Sequence, residues 1–200
     1  MPNWCHNELT ITGNKEKTRE FLKLGLKTNN LPERTVEIEE IISNLSNDKK
    51  LSIGKFYPMP EIFKTDTTNH PEQFPEIAEE QKRLYGVVGW YDWCITYWGT
   101  KWDADFDDVQ YVENDETGII MIYFESAWSP PVNWLEYVQE NVAPDLDFEM
   151  YYEEPGMGFA GTSGTYRDEE GNVSISDVEI PWEESKCYIE MKENGYEDEE

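Results

Sequence analysis

The side chains best able to do chemistry in this 200-residue chain are its carboxylates, because the alternatives are few. Only two histidines occur, His6 and His70, and neither stands in a nucleophile elbow or a triad arrangement. Cys5 and His6 are adjacent, but no CxxC or HxxxH spacing accompanies them, so zinc has no framework of ligands. Cys5, Cys94 and Cys187 are widely separated and read as reduced thiols. The run DADFDD (Asp103, Asp105, Asp107, Asp108) resembles the opening of a calcium loop. Its sixth and twelfth positions are Asp108 and Asn114, where such a loop needs a glycine and a bidentate carboxylate. An irregular calcium site or a glycosidase-like acid pair stays open on composition alone. Gly156, Gly158, Gly161 and Gly164 lack the lysine of a phosphate-binding loop and lie among acids. The expectation is no catalytic residue, no metal, no cofactor and no enzymatic activity.

The acids are unevenly placed. The chain carries 43 acids and 16 bases, a net charge of -27, and residues 102–200 hold 28 of those acids but 3 of the bases. Between Lys101 and Arg167 there is no lysine or arginine. Such a surface repels bare nucleic acid and anionic bilayers, and it attracts cationic protein surfaces. No apolar run approaches the length of a membrane span and no signal-peptide core follows Met1, so a cytoplasmic protein is expected. The partner-binding candidates are Asp103, Asp105, Asp107, Asp108, Asp147, Glu149, Glu153 and Glu154. Carboxylates at alternate strand positions recur every 6 to 7 Å, comparable with the phosphates along one DNA strand. A plain solubility coat would have the same composition.

Tryptophan is the second distinctive resource. Trp90, Trp93, Trp98, Trp102 and Trp128 either join an insertion to the core or form an aromatic patch for lysine or arginine. Trp98 and Trp102 are assigned mainly to the structural role.

The elements that must position these groups follow from periodicity. Residues 7–12 read as a strand, and Asn14 caps a helix over 15–27 with Thr18, Phe21, Leu22 and Gly25 on one face. A second helical pattern runs through Val36, Ile38, Ile41 and Leu45, residues 51–57 look strand-like, and 74–85 is helical. The tryptophan-rich segment has no clear period. Residues 109–113 and 119–125 form a hairpin, 131–142 a helix, and 146–153 a strand whose Leu146, Phe148, Met150 and Tyr152 face inward. A further hairpin spans about 158–180. Ile119, Met121 and Tyr123 make the far face of their strand apolar, so another part of the chain is expected to cover it. With about 31–101 taken as a long insertion after the first helix, the order is βαββαβ. The fold class is therefore α+β: a single ferredoxin-like domain over 1–192 with a C-terminal hairpin and an acidic tail over 193–200.

Four motifs, MPNWCHNELTITG (1–13), YDWCITYWGTKWDA (91–104), FESAWSPP (124–131) and YEEPGMGFAG (152–161), resemble the YubB-type family of phage and plasmid proteins. The resemblance implies a ferredoxin-like fold and an origin in a mobile element; it supplies no catalytic residues. Joined to the charge, it leads to a binding protein that occupies the basic surface of a host nuclease or other nucleic-acid-binding defence factor as a DNA mimic, in the manner of an anti-CRISPR or anti-restriction protein. The alternatives are an accessory mobile-element protein without an acidic-face receptor, and a carboxylate- or metal-dependent enzyme.

Overall fold

A computed structural model describes residues 3–26, 51–64 and 72–194. The helical pattern read over 36–45 and most of the acidic tail lie outside the described residues. Six strands form one antiparallel sheet in the order β2-β3-β1-β4-β5-β6: β1 (Trp4–Asn14), β2 (Asp108–Glu113), β3 (Thr117–Ala127), β4 (Asp147–Glu154), β5 (Phe159–Arg167) and β6 (Val173–Ile180). The first four strands, with α1 (Lys15–Leu26) and α5 (Val132–Asn141), make the ferredoxin-like βαββαβ unit, and the final hairpin extends it. The remaining helices are α2 (Ile53–Phe56), α3 (Pro75–Tyr85), α4 (Trp90–Tyr97) and α6 (Lys186–Glu193).

Period-two burial decides which face carries the core. Cys5, Asn7, Leu9 and Ile11 of β1, Ile120, Ile122 and Phe124 of β3, and Phe148, Met150 and Tyr152 of β4 are all buried beneath the helices. Thr18, Phe21 and Leu22 bring α1 onto this face, and Trp134, Leu135 and Val138 bring α5 onto it. Asn14 caps α1 as expected, its Oδ1 accepting the Glu16 N–H at 3.0 Å.

Two expectations need correction. Residues 51–57 are not a strand: Ser52 makes a single bridge to Asp105, and the chain then turns into α2. The Asp103 carboxylate accepts the Gly54 N–H at 2.8 Å and satisfies the first turn of that helix. A β-carbon on Gly54 would lie 2.5 Å from Asp103 Oδ2, so this approach depends on glycine. The second correction concerns the far face of β3. The tryptophan segment lies on the helical side, and Ile119 and Tyr123 stay 36% and 41% exposed.

Candidate functional site

The face of the sheet opposite α1 and α5, open among the described residues except where the start of α6 rests on it, is built by register. Across β3, β1 and β4 its rows read Glu125–His6–Glu153, Tyr123–Glu8–Tyr151, Met121–Thr10–Glu149 and Ile119–Thr12–Asp147. Strand β2 adds Asp108 beside Tyr123 and Val112 beside Ile119, and β5 adds Thr162 beside Tyr151 and Gly164 beside Glu149. Neighbouring strands are about 4.8 Å apart, so these carboxylates and phenols form a tight array on one surface.

The sequence-derived acids divide when placed on this surface. Asp147, Glu149 and Glu153 share it, and Asp108 joins them from the edge strand. Asp147 pairs with Arg167 at 2.6 Å. Glu153 Oε2 accepts the Tyr151 hydroxyl at 2.7 Å and the Cys187 N–H at 2.9 Å, which anchors the start of α6. Glu154 does not belong to the surface. It is 1% exposed on the opposite face, where it accepts the Gly156 and Met157 N–H groups and ties the β4–β5 turn. Adjacent strand residues point to opposite faces, so Glu153 and Glu154 could never have served one site. Glu8 belongs to the array but lies in the nearly neutral first half, where charge counting gives no signal, and Glu125 lies outside the alternating acidic run of β4; Tyr123 and Tyr151 complete the array. Burial first, and then the hydrogen bond to Glu153, hold the Tyr151 phenol above its usual range, so it stays a neutral donor.

The DADFDD run is mainly a splice between residues 51–54 and β2. Ala104 and Phe106 are buried between the aspartates, and Phe106 N donates to Leu51 O while Asp107 N donates to Tyr123 O. The outer edge of Asp103 is exposed, yet its carboxyl packs on the Ser52–Gly54 turn, and desolvation there raises its pKa against the opposing hydrogen bonds. Among the described residues no three His, Cys, Asp or Glu side chains gather as metal ligands. Cys5 and His6 point to opposite sides of β1, and burial pushes both the Cys5 and Cys94 thiols up to about 12.

The tryptophans also divide. Trp93 and Trp98 are buried, and the Trp98 indole donates to Tyr57 O at 2.8 Å, joining α4 to the segment after α2. Trp134 makes the same kind of tie, donating to Ile53 O at 2.9 Å from a fully buried position. Trp90 is half-buried against Tyr91. Trp102 departs from its structural assignment: it is 38% exposed, tilted against Trp4 at 6.2 Å, with Lys101 Nζ 4.6 Å from its ring centre. Trp128 follows β3 with φ 75°, its N–H donating to Asn3 O, and is the one non-glycine residue at positive φ among those described. Trp4, Trp102 and Trp128 thus lie exposed around one end of the sheet.

The family model described as the ferredoxin-like domain in Api92-like protein matches residues 97–197, half of the chain, and the chain belongs to this family. A crystal structure of protein api92 from Yersinia pseudotuberculosis is similar over 89% of this chain and 98% of that one, with 13% identity and a TM-score of 0.43. No curated protein matches. Among the described residues no helix is long and apolar enough to cross a membrane.

Proposed function

We propose that this member of the Api92-like ferredoxin-like family is a binding protein whose open sheet face takes the basic surface of a protein partner. The carrying observation is the array on one sheet face in which Glu8, Glu125, Asp147, Glu149 and Glu153 share the surface with Tyr123 and Tyr151, open except where the start of α6 rests on it. Carboxylates steer a cationic partner from a distance, and aromatic rings beside them take lysine or arginine by cation–π contact. The phage and plasmid setting implied by the motif resemblance makes a nucleic-acid-binding defence factor of the host the partner class, met in the cytoplasm. A groove shaped for closely spaced phosphates is the kind of surface this array would enter.

The test is competition. The chain should displace labelled duplex DNA from a non-specific nuclease at low salt, and Asp108→Lys with Glu149→Lys should weaken displacement at least tenfold. Glu16→Lys with Glu20→Lys, the same change of charge on α1, should alter it less than threefold. Equal losses in both pairs would mean that total charge matters and the face does not.

An accessory role through assembly is a second reading, supported by the exposed Trp4, Trp102 and Trp128. Aromatic residues of this kind dominate protein interfaces. It requires a homogeneous oligomer that Trp102→Ser dissociates.

A further inference from the structure

On the binding-face reading above, we propose that Glu8 and Tyr151 form a subsite for a single lysine or arginine side chain of the partner, and that Lys186 of this chain occupies it in the isolated protein. The Lys186 ammonium pairs with Glu8 Oε2 and lies 4.4 Å from the centre of the Tyr151 ring. Carboxylate and ring face are the two groups that select a cation, and β1 and β4 place them directly opposite each other. The same two residues help to line a groove of about 480 Å³ on this face, together with Glu149, Thr162, Tyr166 and Val178. A basic segment laid in this groove would bring one cation to the subsite and another to Glu149.

The present occupant is lightly held. Helix α6 has no buried residue, and Ile189 and Met191 on it are 47% and 37% exposed. The backbone at its start is fixed, with Lys186 N donating to the Tyr151 hydroxyl, Cys187 N to Glu153 and the buried Ser185 capping the helix, so the light hold concerns the Lys186 side chain. The Lys186 and Glu8 side chains are themselves 57% and 41% exposed. Exposed ion pairs and cation–π contacts are individually weak, so a multivalent basic segment can outcompete a single tethered lysine. The helix start then acts as a built-in competitor that reserves the subsite for ligands carrying several cations.

The experiment is fluorescence anisotropy with a labelled octalysine peptide on the full chain at low ionic strength. Lys186→Gln should tighten binding three- to tenfold. Lys186→Arg, which keeps a cation in place, should stay within twofold of the wild type. Lys23→Gln on α1 makes the same charge change on the helical side and should tighten binding less than twofold. Adding Glu8→Gln to Lys186→Gln should abolish the gain. Equal effects of Lys186→Gln and Lys23→Gln would overturn the subsite while leaving the binding face standing. Equal octalysine affinity in the wild type and the Asp108→Lys, Glu149→Lys variant would overturn the binding face, and the subsite with it.

Discussion

Three buried tryptophans offer a controlled comparison, because they differ in what the indole N–H does. Trp93, Trp98 and Trp134 are 1%, 3% and 0% exposed. Trp98 donates to Tyr57 O and Trp134 to Ile53 O, whereas Trp93 Nε1 is buried without a hydrogen-bond partner among the described residues. Replacement by phenylalanine removes part of the ring and the donor in each case. For Trp98 the donor loss costs about 1 kcal/mol net, rising toward about 3 kcal/mol if the Tyr57 carbonyl is left without a substitute. For Trp134 the loss should be nearer the lower figure, since Ile53 O also accepts the Tyr57 N–H at 3.0 Å. For Trp93 the substitution removes an unsatisfied donor, which returns about 1 to 3 kcal/mol against the packing loss. Trp98→Phe should therefore be about 2 to 6 kcal/mol less stable than Trp93→Phe, with Trp134→Phe between them. Urea unfolding followed by far-ultraviolet circular dichroism measures all three. Equal destabilisation by Trp93→Phe and Trp98→Phe would refute the role given to the indole hydrogen bonds.

Further consequences follow from single contacts. A β-carbon at residue 161 would lie 2.3 Å from the Tyr152 hydroxyl oxygen and 2.8 Å from Val178 O, so Gly161→Ala should destabilise by about 1 to 3 kcal/mol in denaturant. A loss below a few tenths of a kcal/mol would show that β5 shifts freely. Cys5 and Cys94 are buried with thiols pushed up to about 12, whereas Cys187 is half-buried with a smaller upward shift, so Cys187 alone should react promptly with a disulfide reagent in the native state. Two or more fast thiols would contradict this placement. Asp103 has a raised folded pKa, so the folded state keeps its proton longer than the unfolded state does. Its stabilising effect is present below the usual carboxylate value of about 4 and is lost as pH rises through the raised value. Relative to Asp103→Asn, the wild type should lose thermal stability across that window, and a constant difference would refute the desolvation argument.

The ferredoxin-like core was legible because its strands alternate and its helices carry apolar stripes. Phe148, Met150 and Tyr152 declare one buried face of β4, and Thr18, Phe21 and Leu22 declare the inner face of α1. Residues 51–57 misled because Leu51, Ile53 and Tyr57 alternate like a strand; only the distant Asp103 carboxylate shows why the chain turns into a helix there. Trp134 is not among the tryptophans singled out by sequence, yet it lies beside Leu135 in one buried stripe of α5. Helix α6 buries no side chain, so no periodic signal marks it. On the open face, Asp147, Glu149 and Glu153 were readable from alternation, whereas Glu8 emerged only when strand pairing placed it between Tyr123 and Tyr151, and Glu125 when it was placed opposite His6. Cover for Ile119 and Tyr123 was expected on hydrophobicity, yet antiparallel sheets can leave one face to solvent.

On the proposed reading the acids act as a surface with a place on the fold. Titrating octalysine into uniformly ¹⁵N-labelled protein tests it most directly, read as amide shift changes along the chain at low salt. The largest changes are expected at Glu8, Thr10, Glu149, Tyr151 and Thr162, with Glu16, Glu20 and the α5 surface nearly still. They should collapse as salt shortens the Debye length from about 10 Å at 0.1 M to about 3 Å at 1 M. Changes of equal size over α1, α5 and the sheet face would contradict it.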